Sequence, residues 1–193
     1  MALDDQSRWN RLHAERRGGG EPSRFLQEII NSEQWTIAPG RALDVACGKG
    51  RNALFLASRG FQVTAIDISP IGLEHGREQA QANSLSIAWQ QADLENLQLA
   101  PGEYDLIVNI NYLQRSLIPH LKTALKPGGR VIFETYLVDQ RAVGHPINPD
   151  YLLAHNELLD SFRDFRVLLY HEGKFSDGRE ASFRAGILAQ KVG

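Results

Sequence analysis

The stretch Arg41 to Asn52, RALDVACGKGRN, constrains this chain more than any other. Arg41 to Ala46 reads as a short strand, and the bend after it contains two glycines. A helix, predicted over Asn52 to Arg59, follows without a spacer and is stopped by Gly60. Gly48 and Gly50 lack a Cβ, so the bend can take positive φ and a ligand can come close to the backbone. The helix start then offers unpaired N–H groups and positive dipole to a carboxylate or phosphate.

The remaining sequence alternates in the same way. Strands are predicted at Phe61 to Ile66, Ser86 to Gln90, Tyr104 to Asn109 and Arg130 to Tyr136. Helices are predicted at Pro22 to Asn31, Pro70 to Asn83 (Ser69 as N-cap), Gln114 to Leu125 (ended by Pro127-Gly128-Gly129) and Tyr151 to Phe162. Two strands, Arg166 to His171 and Ala181 to Gln190, meet at Asp177-Gly178 with no helix between them and must form a hairpin. The expected fold is α/β: a seven-stranded mixed sheet, six strands parallel and one antiparallel, with helices on both faces. Residues 1–38, with a polar, basic patch around Trp9 and Leu12 and a Gly18-Gly19-Gly20 break, form an N-terminal helical cap segment over the active site; residues 39–193 form the main domain.

The length of 193 residues suits one such core. A net charge of -2 lacks the basic surplus that phosphate binding asks for, which argues against nucleic acid as partner. No apolar run nears the roughly 18 residues of a membrane span, and Met1 to Gln6 do not read as a secretory signal. Cys47 is the one cysteine, so no internal disulfide forms, and no metal site is expected. The expected location is cytoplasmic, and the expected assembly a monomer or homodimer.

The second strand ends Ala65-Ile66-Asp67-Ile68. An acid there can accept hydrogen bonds from both hydroxyls of a ribose, at the sheet edge where open α/β folds bind ligands. Gly48-x-Gly50 is followed by Arg51, Asn52 and Ala53; alanine in the third small position leaves a dinucleotide loop open. Asp44 beside the bend argues against it, because a carboxylate there suits an ammonium and repels a diphosphate.

Leu43-Asp44-Val45-Ala46-Cys47-Gly48-Lys49-Gly50 resembles the first motif of the class I methyltransferases, whose Rossmann-like sheet matches the predicted strand order. Asp67 resembles their ribose-binding acid, Ala92-Asp93-Leu94 their adenine-contacting motif, and Lys126-Pro127-Gly128-Gly129 their turn before strand five. The resemblance implies S-adenosylmethionine as cofactor and S-adenosylhomocysteine as product. It implies binding by Asp44, Ala46, Cys47, Gly48, Gly50, Arg51, Asn52, Asp67, Ile68, Ala92, Asp93, Leu94 and Asn109. Cys47 reads as a small packed residue rather than a nucleophile.

More narrowly, Cys47-Gly48-Lys49-Gly50-Arg51-Asn52-Ala53-Leu54-Phe55-Leu56-Ala57 and the terminal Ser182 to Ala189 are similar to the tellurite-resistance methyltransferase family. That family acts on soft oxyanions, thiols or selenols through cationic residues near the last hairpin. The matching region here holds His171, Lys174, Arg179 and Arg184. Tyr112 after strand four, Tyr136 after strand five and His145 in the following loop join His171 and Arg179 as acceptor-pocket candidates. The expected partner is a small-molecule methyl acceptor. A non-catalytic SAM-binding protein, or a methyltransferase of RNA or protein, is the alternative.

Overall fold

A computed structural model describes residues 2–15, 19–176 and 181–193. The sheet has seven strands: β1 (Arg41–Val45), β2 (Gln62–Asp67), β3 (Ile87–Gln91), β4 (Tyr104–Ile110), β5 (Leu125–Tyr136), β6 (Arg166–Ser176) and β7 (Ala181–Gln190). Their spatial order is β3-β2-β1-β4-β5-β7-β6. β3, β2, β1, β4 and β5 are mutually parallel, β7 runs antiparallel to β5, and β6 antiparallel to β7. Six strands therefore share one direction and β7 opposes them, as the sequence implies. The order reverses between β1 and β4, so the tips of these two strands open the ligand-binding edge.

Side chains alternate across the sheet with the strand period of two. Along β4, Leu106, Val108 and Ile110 face one layer, with α2 (Arg24–Ile30), α3 (Arg51–Ser58) and α4 (Pro70–Ala82). Ile107 faces the other, with α5 (Ile118–Ala124) and α6 (Glu157–Ser161), and the irregularity between Tyr104 and Leu106 turns Tyr104 to that layer too. Strands apolar on both faces are what a parallel sheet covered by helices requires. Trp89 on β3 packs so closely under Gly50 and Gly76 that a Cβ on either would meet its ring within 2.3 and 2.4 Å.

Several predicted boundaries move, and β6 runs on past His171 to Ser176. The Pro127-Gly128-Gly129 turn lies inside β5 and not before it, as an irregularity where the β4–β5 register jumps; Gly128, at φ 78°, bonds the backbone of Lys191. The α-helix expected from Gln114 begins only at Ile118, after a 3-10 turn (Arg115–Leu117), because Pro119 has no N–H to give an earlier turn. The helix expected over Tyr151 to Phe162 shrinks to Glu157–Ser161. Leu153 instead pairs with the chain after β5, exchanging bonds with Tyr136 and Val138, while Arg115 holds the carbonyls of Asp150 and Leu152 and the Glu157 carboxylate.

The N-terminal α1 (Ala2–Glu15) lies along α4 at the ligand-binding edge. Gln6 donates to the Ile68 carbonyl at 3.3 Å, and the Ser69 hydroxyl bonds Asn10 at 2.7 Å. The Asp177-Gly178 turn falls outside the described residues. Among the described residues no helix is long and apolar enough to cross a membrane.

Candidate active site

The β1–α3 bend is held from three sides. Cys47 N–H bonds the Ile66 carbonyl, Gly50 N–H the Cys47 carbonyl, and Gly48 N–H the Asp67 carboxylate at 2.7 Å. Gly48 has φ 56°, and a Cβ there would stand 3.1 Å from the His13 ring of α1, so the bend needs glycine for both conformation and space. Ala46, at φ 52°, shares the left-handed region without that excuse. Burial, and then the Asp44 and Asp67 charges, push the Cys47 thiol well above its ordinary range. This is an inert packed thiol rather than a nucleophile.

Asp67 ends β2 and takes a second backbone donor, Ser69 N–H, at 2.8 Å. A carboxylate has about four lone-pair positions, so acceptor capacity remains for a ligand. The next loop bonds back through Ala92 N–H to the Asp67 carbonyl. There Asp93 caps a 3-10 turn (Leu94–Asn96) by accepting from Glu95 N–H and the Asn96 amide, and Leu94 is buried. Asn109, near the β4 tip, is buried and donates to the Tyr112 carbonyl at 2.7 Å.

Asp44 differs from its neighbours. It is 1% exposed, and among the described residues neither carboxylate oxygen has a hydrogen-bond partner of normal geometry, the Ala53 backbone N–H at the start of α3 being the donor that favours its charged form. Burial pushes its pKa from 3.8 up to about 7, against smaller opposing pulls from the Ala53 N–H and the Arg51 guanidinium. An unsatisfied buried carboxylate is costly and asks for a donor or a cation. The first turn of α3 alongside carries no side-chain cap.

Arg51 and Asn52 also fasten the N-terminal segment. Arg51 donates to the Glu21 carbonyl at 3.0 Å, and the Asn52 side chain accepts from Ser23 N–H at 2.9 Å. Ser23 in turn caps α2, accepting from Leu26 N–H.

A second polar group sits at the tips of β5, β6 and β7. Its centre is Glu134, which the motif reading passed over, although an acid inside the apolar run of β5 was a visible signal. Glu134 is 8% exposed; its carboxylate lies 3.4 Å from the Ser23 hydroxyl, 3.5 Å from Arg184 and 3.6 Å from His171. Burial raises its pKa, with Arg184 and Arg51 pulling it back. Arg184 lies over the Tyr136 ring at 4.1 Å and donates to Asn111 at 2.6 Å. His171 is stacked on Phe25 with Phe175 tilted against it, and burial lowers its pKa. The structure thus gathers Tyr136, His171, Arg184 and Arg51 around one carboxylate. Tyr112 stands apart, its hydroxyl on Gln114 and its ring against the α5 layer. His145 and Lys174 are exposed, and Arg179 lies outside the described residues. Among the described residues no three His, Cys, Asp or Glu side chains are grouped to hold a metal ion.

Comparison with known proteins agrees with this arrangement. Residues 42–129 match the family model described as a methyltransferase domain. The ubiquinone biosynthesis O-methyltransferase of Acinetobacter baumannii (strain AYE) is 30% identical over 136 residues, 67% of this chain and 57% of that protein. The probable S-adenosyl-L-methionine-dependent methyltransferase TehB of Haemophilus influenzae is 29% identical over 144 residues, 70% of this chain and 49% of that protein. This chain therefore spans about half the length of these curated relatives. The crystal structure of TehB from Haemophilus influenzae superposes with a TM-score of 0.69 at 27% identity, covering 80% of this chain and 58% of that one. Residues 42–129 thus match a methyltransferase domain, and the chain is similar to S-adenosylmethionine-dependent methyltransferases, TehB among them.

Proposed function

We propose that this protein transfers a methyl group from S-adenosylmethionine to a small-molecule acceptor. The observation that carries the reading is Asp44: a buried carboxylate with no hydrogen-bond partner of normal geometry among the described residues, beside a glycine bend that is itself tied to Asp67. The residues fit the family's cofactor. An ammonium supplies the cation Asp44 lacks, and the uncapped start of α3 suits the carboxylate of the same methionine moiety. Asp67 has lone pairs to spare for two ribose hydroxyls, with Ile68 beside it. Ala92, Asp93 and Leu94 would flank the base, and Ala46, Cys47, Gly48, Gly50 and Asn109 would line the cleft. When bound, the sulfonium supplies an already activated methyl group.

The chain's own work is then to align the acceptor and to keep water out. Residues 1–38 are the candidate cap: α1 is pinned to Ile68 and Ser69, and Glu21 and Ser23 to Arg51 and Asn52. The group around Glu134, with Tyr136, His171 and Arg184, lies at the neighbouring strand tips, where an acceptor would enter.

Calorimetry with S-adenosylmethionine and NAD in parallel tests the cofactor; heat from S-adenosylmethionine alone is expected, with micromolar affinity, about -8 kcal/mol. Release of S-adenosylhomocysteine over a panel of thiols, selenite, tellurite, amines and phenols tests the transfer. Binding without turnover of any of them would point to a SAM-binding protein that is not a small-molecule methyltransferase.

A further inference from the structure

His171, Gly186 and Glu134 occupy one row across three strands: His171 pairs with Gly186 and Gly186 with Glu134. Residues paired in this way point to the same face. The middle residue has no side chain, so the outer two meet across it. A Cβ on Gly186 would stand 1.9 Å from His171 Nε2. Among the described residues that nitrogen is buried without a hydrogen bond, and it lies 3.6 Å from Glu134 Oε1. Phe25 stacks on the imidazole at 4.5 Å and 10°, and Phe175 packs against it tilted at 4.4 Å, which together hold its plane. An imidazole aimed at a carboxylate through a gap in the sheet is a built arrangement, and the cofactor loop makes no use of it.

We propose that Glu134 accepts the proton of the methyl acceptor, with His171 as the positioning residue behind it. The acceptor then arrives with a hydrogen on its nucleophilic atom, as a thiol, selenol or phenol rather than a preformed oxyanion. This rests on the methyl-transfer reading above. In the step, the acceptor's X–H bond breaks and its proton passes to a Glu134 oxygen. The freed electron pair forms the bond to the methyl carbon, and the carbon–sulfur bond breaks with its pair on sulfur, leaving a neutral thioether. The protonated Glu134 donates its O–H to the bare Nε2 of a neutral His171, which takes the Nδ1–H tautomer. The charged groups facing the pair are Arg184 from β7, Arg51 from α3 and Glu28 from α2. Arg24 pairs with Glu28 at 2.7 Å, so the two guanidiniums dominate and steady the developing anion.

The experiment compares wild type, E134Q and H171N with 2-mercaptoethanol, mostly protonated at neutral pH, and thiophenol, mostly ionised there. If thiols are not turned over, phenol and 4-nitrophenol take their places. Calorimetry first shows S-adenosylmethionine binding within about twofold of wild type in both variants. For E134Q the expected loss in kcat is roughly 100-fold with the protonated acceptor and under about threefold with the ionised one. The acidic limb of the wild-type pH profile, where Glu134 takes up a proton, should vanish, and E134D should recover part of the rate. A second readout needs no turnover: by NMR, E134Q should lower the midpoint of the His171 ring titration, since it removes a neighbouring negative charge. Equal losses with both acceptors, or an unmoved His171 midpoint, overturn the proposal. Absence of cofactor binding or turnover in the wild type overturns the methyl-transfer reading instead.

Discussion

The Asp67 carboxylate accepts the backbone N–H of Gly48 at 2.7 Å, so the tip of β2 directly sets the shape of the bend after β1. Its other oxygen is held by Ser69 N–H at 2.8 Å. One side chain thus ties together the two places where a nucleoside ligand would be gripped. Asp67→Ala removes the fasteners and the ribose acceptor together. A hydrogen bond to a charged group contributes about 1.5 to 3 kcal/mol, so S-adenosylmethionine affinity should fall at least about tenfold. Asp67→Asn should be nearly as damaging, because an amide turned either way sets its NH2 against a backbone N–H. Calorimetry on both variants, with melting temperatures, checks this; full affinity in the asparagine variant would contradict it.

Asn52→Ala should loosen the N-terminal segment. Ser23 N–H is buried and has the Asn52 side chain as its acceptor. A buried donor left unsatisfied costs about 1–3 kcal/mol. Faster amide exchange across residues 20–30, with the β1–β2 core unchanged, is the expected pattern. A uniform rise over the whole chain would mean that Asn52 supports the global fold and not this attachment.

The sheet was legible because its signals are local. Strand periodicity, the glycine bend, and a hairpin with no helix between its strands were enough to give strand directions, while the order came from the family resemblance. That Gly48 and Asp67 meet was legible for the same reason, since they follow consecutive strands. The group around Glu134 was not. Its members come from β5, β6, β7, α2 and α3, and the pairing of His171 with Gly186 that joins them depends on a register the sequence does not print. Arg51 and Asn52 were read as cofactor contacts from their motif; their bonds to Glu21 and Ser23 depend on where the N-terminal chain returns. The long helix expected before β6 failed for a comparable reason: Leu153 is drawn into pairing beside β5.

Two glycines let the sign of a substitution be foreseen. Replacing a glycine by alanine inside a helix or strand ordinarily stabilises by roughly 0.5–1 kcal/mol. At Gly76 the new Cβ would meet the Trp89 ring at 2.4 Å, and at Gly186 the His171 ring at 1.9 Å. Overpacking of this kind costs about 1–3 kcal/mol, so both variants should be less stable than wild type. Gly76→Ala should report through Trp89 fluorescence. Gly186→Ala should also push His171 off its stack on Phe25, which ring-current shifts in the NMR spectrum would show. A stability gain at either position would mean that the neighbouring ring moves aside at little cost.

Asp44 makes the stability of the ligand-free protein depend on pH in the direction opposite to most carboxylates. Its pKa rises from 3.8 to about 7 on folding. Between those values the unfolded chain loses the proton while the folded one keeps it. The contribution of this group to stability is therefore full below pH 4 and declines as pH rises to 7. About three units at about 1.4 kcal/mol each put the loss at up to about 4 kcal/mol. Asp44→Asn has no proton to lose, so the variant-minus-wild-type difference in urea unfolding should climb by a few kcal/mol between pH 4 and pH 8. A constant offset would come from packing alone, so the slope is the diagnostic quantity. The same reasoning applies to the cofactor. An ammonium placed beside Asp44 favours the carboxylate, so S-adenosylmethionine should bind with release of a proton near pH 6, and more tightly as pH rises toward 7. Calorimetry in two buffers of different ionisation enthalpy counts that proton. Equal heats in both would place the ammonium away from Asp44 and remove the observation on which the cofactor assignment stands.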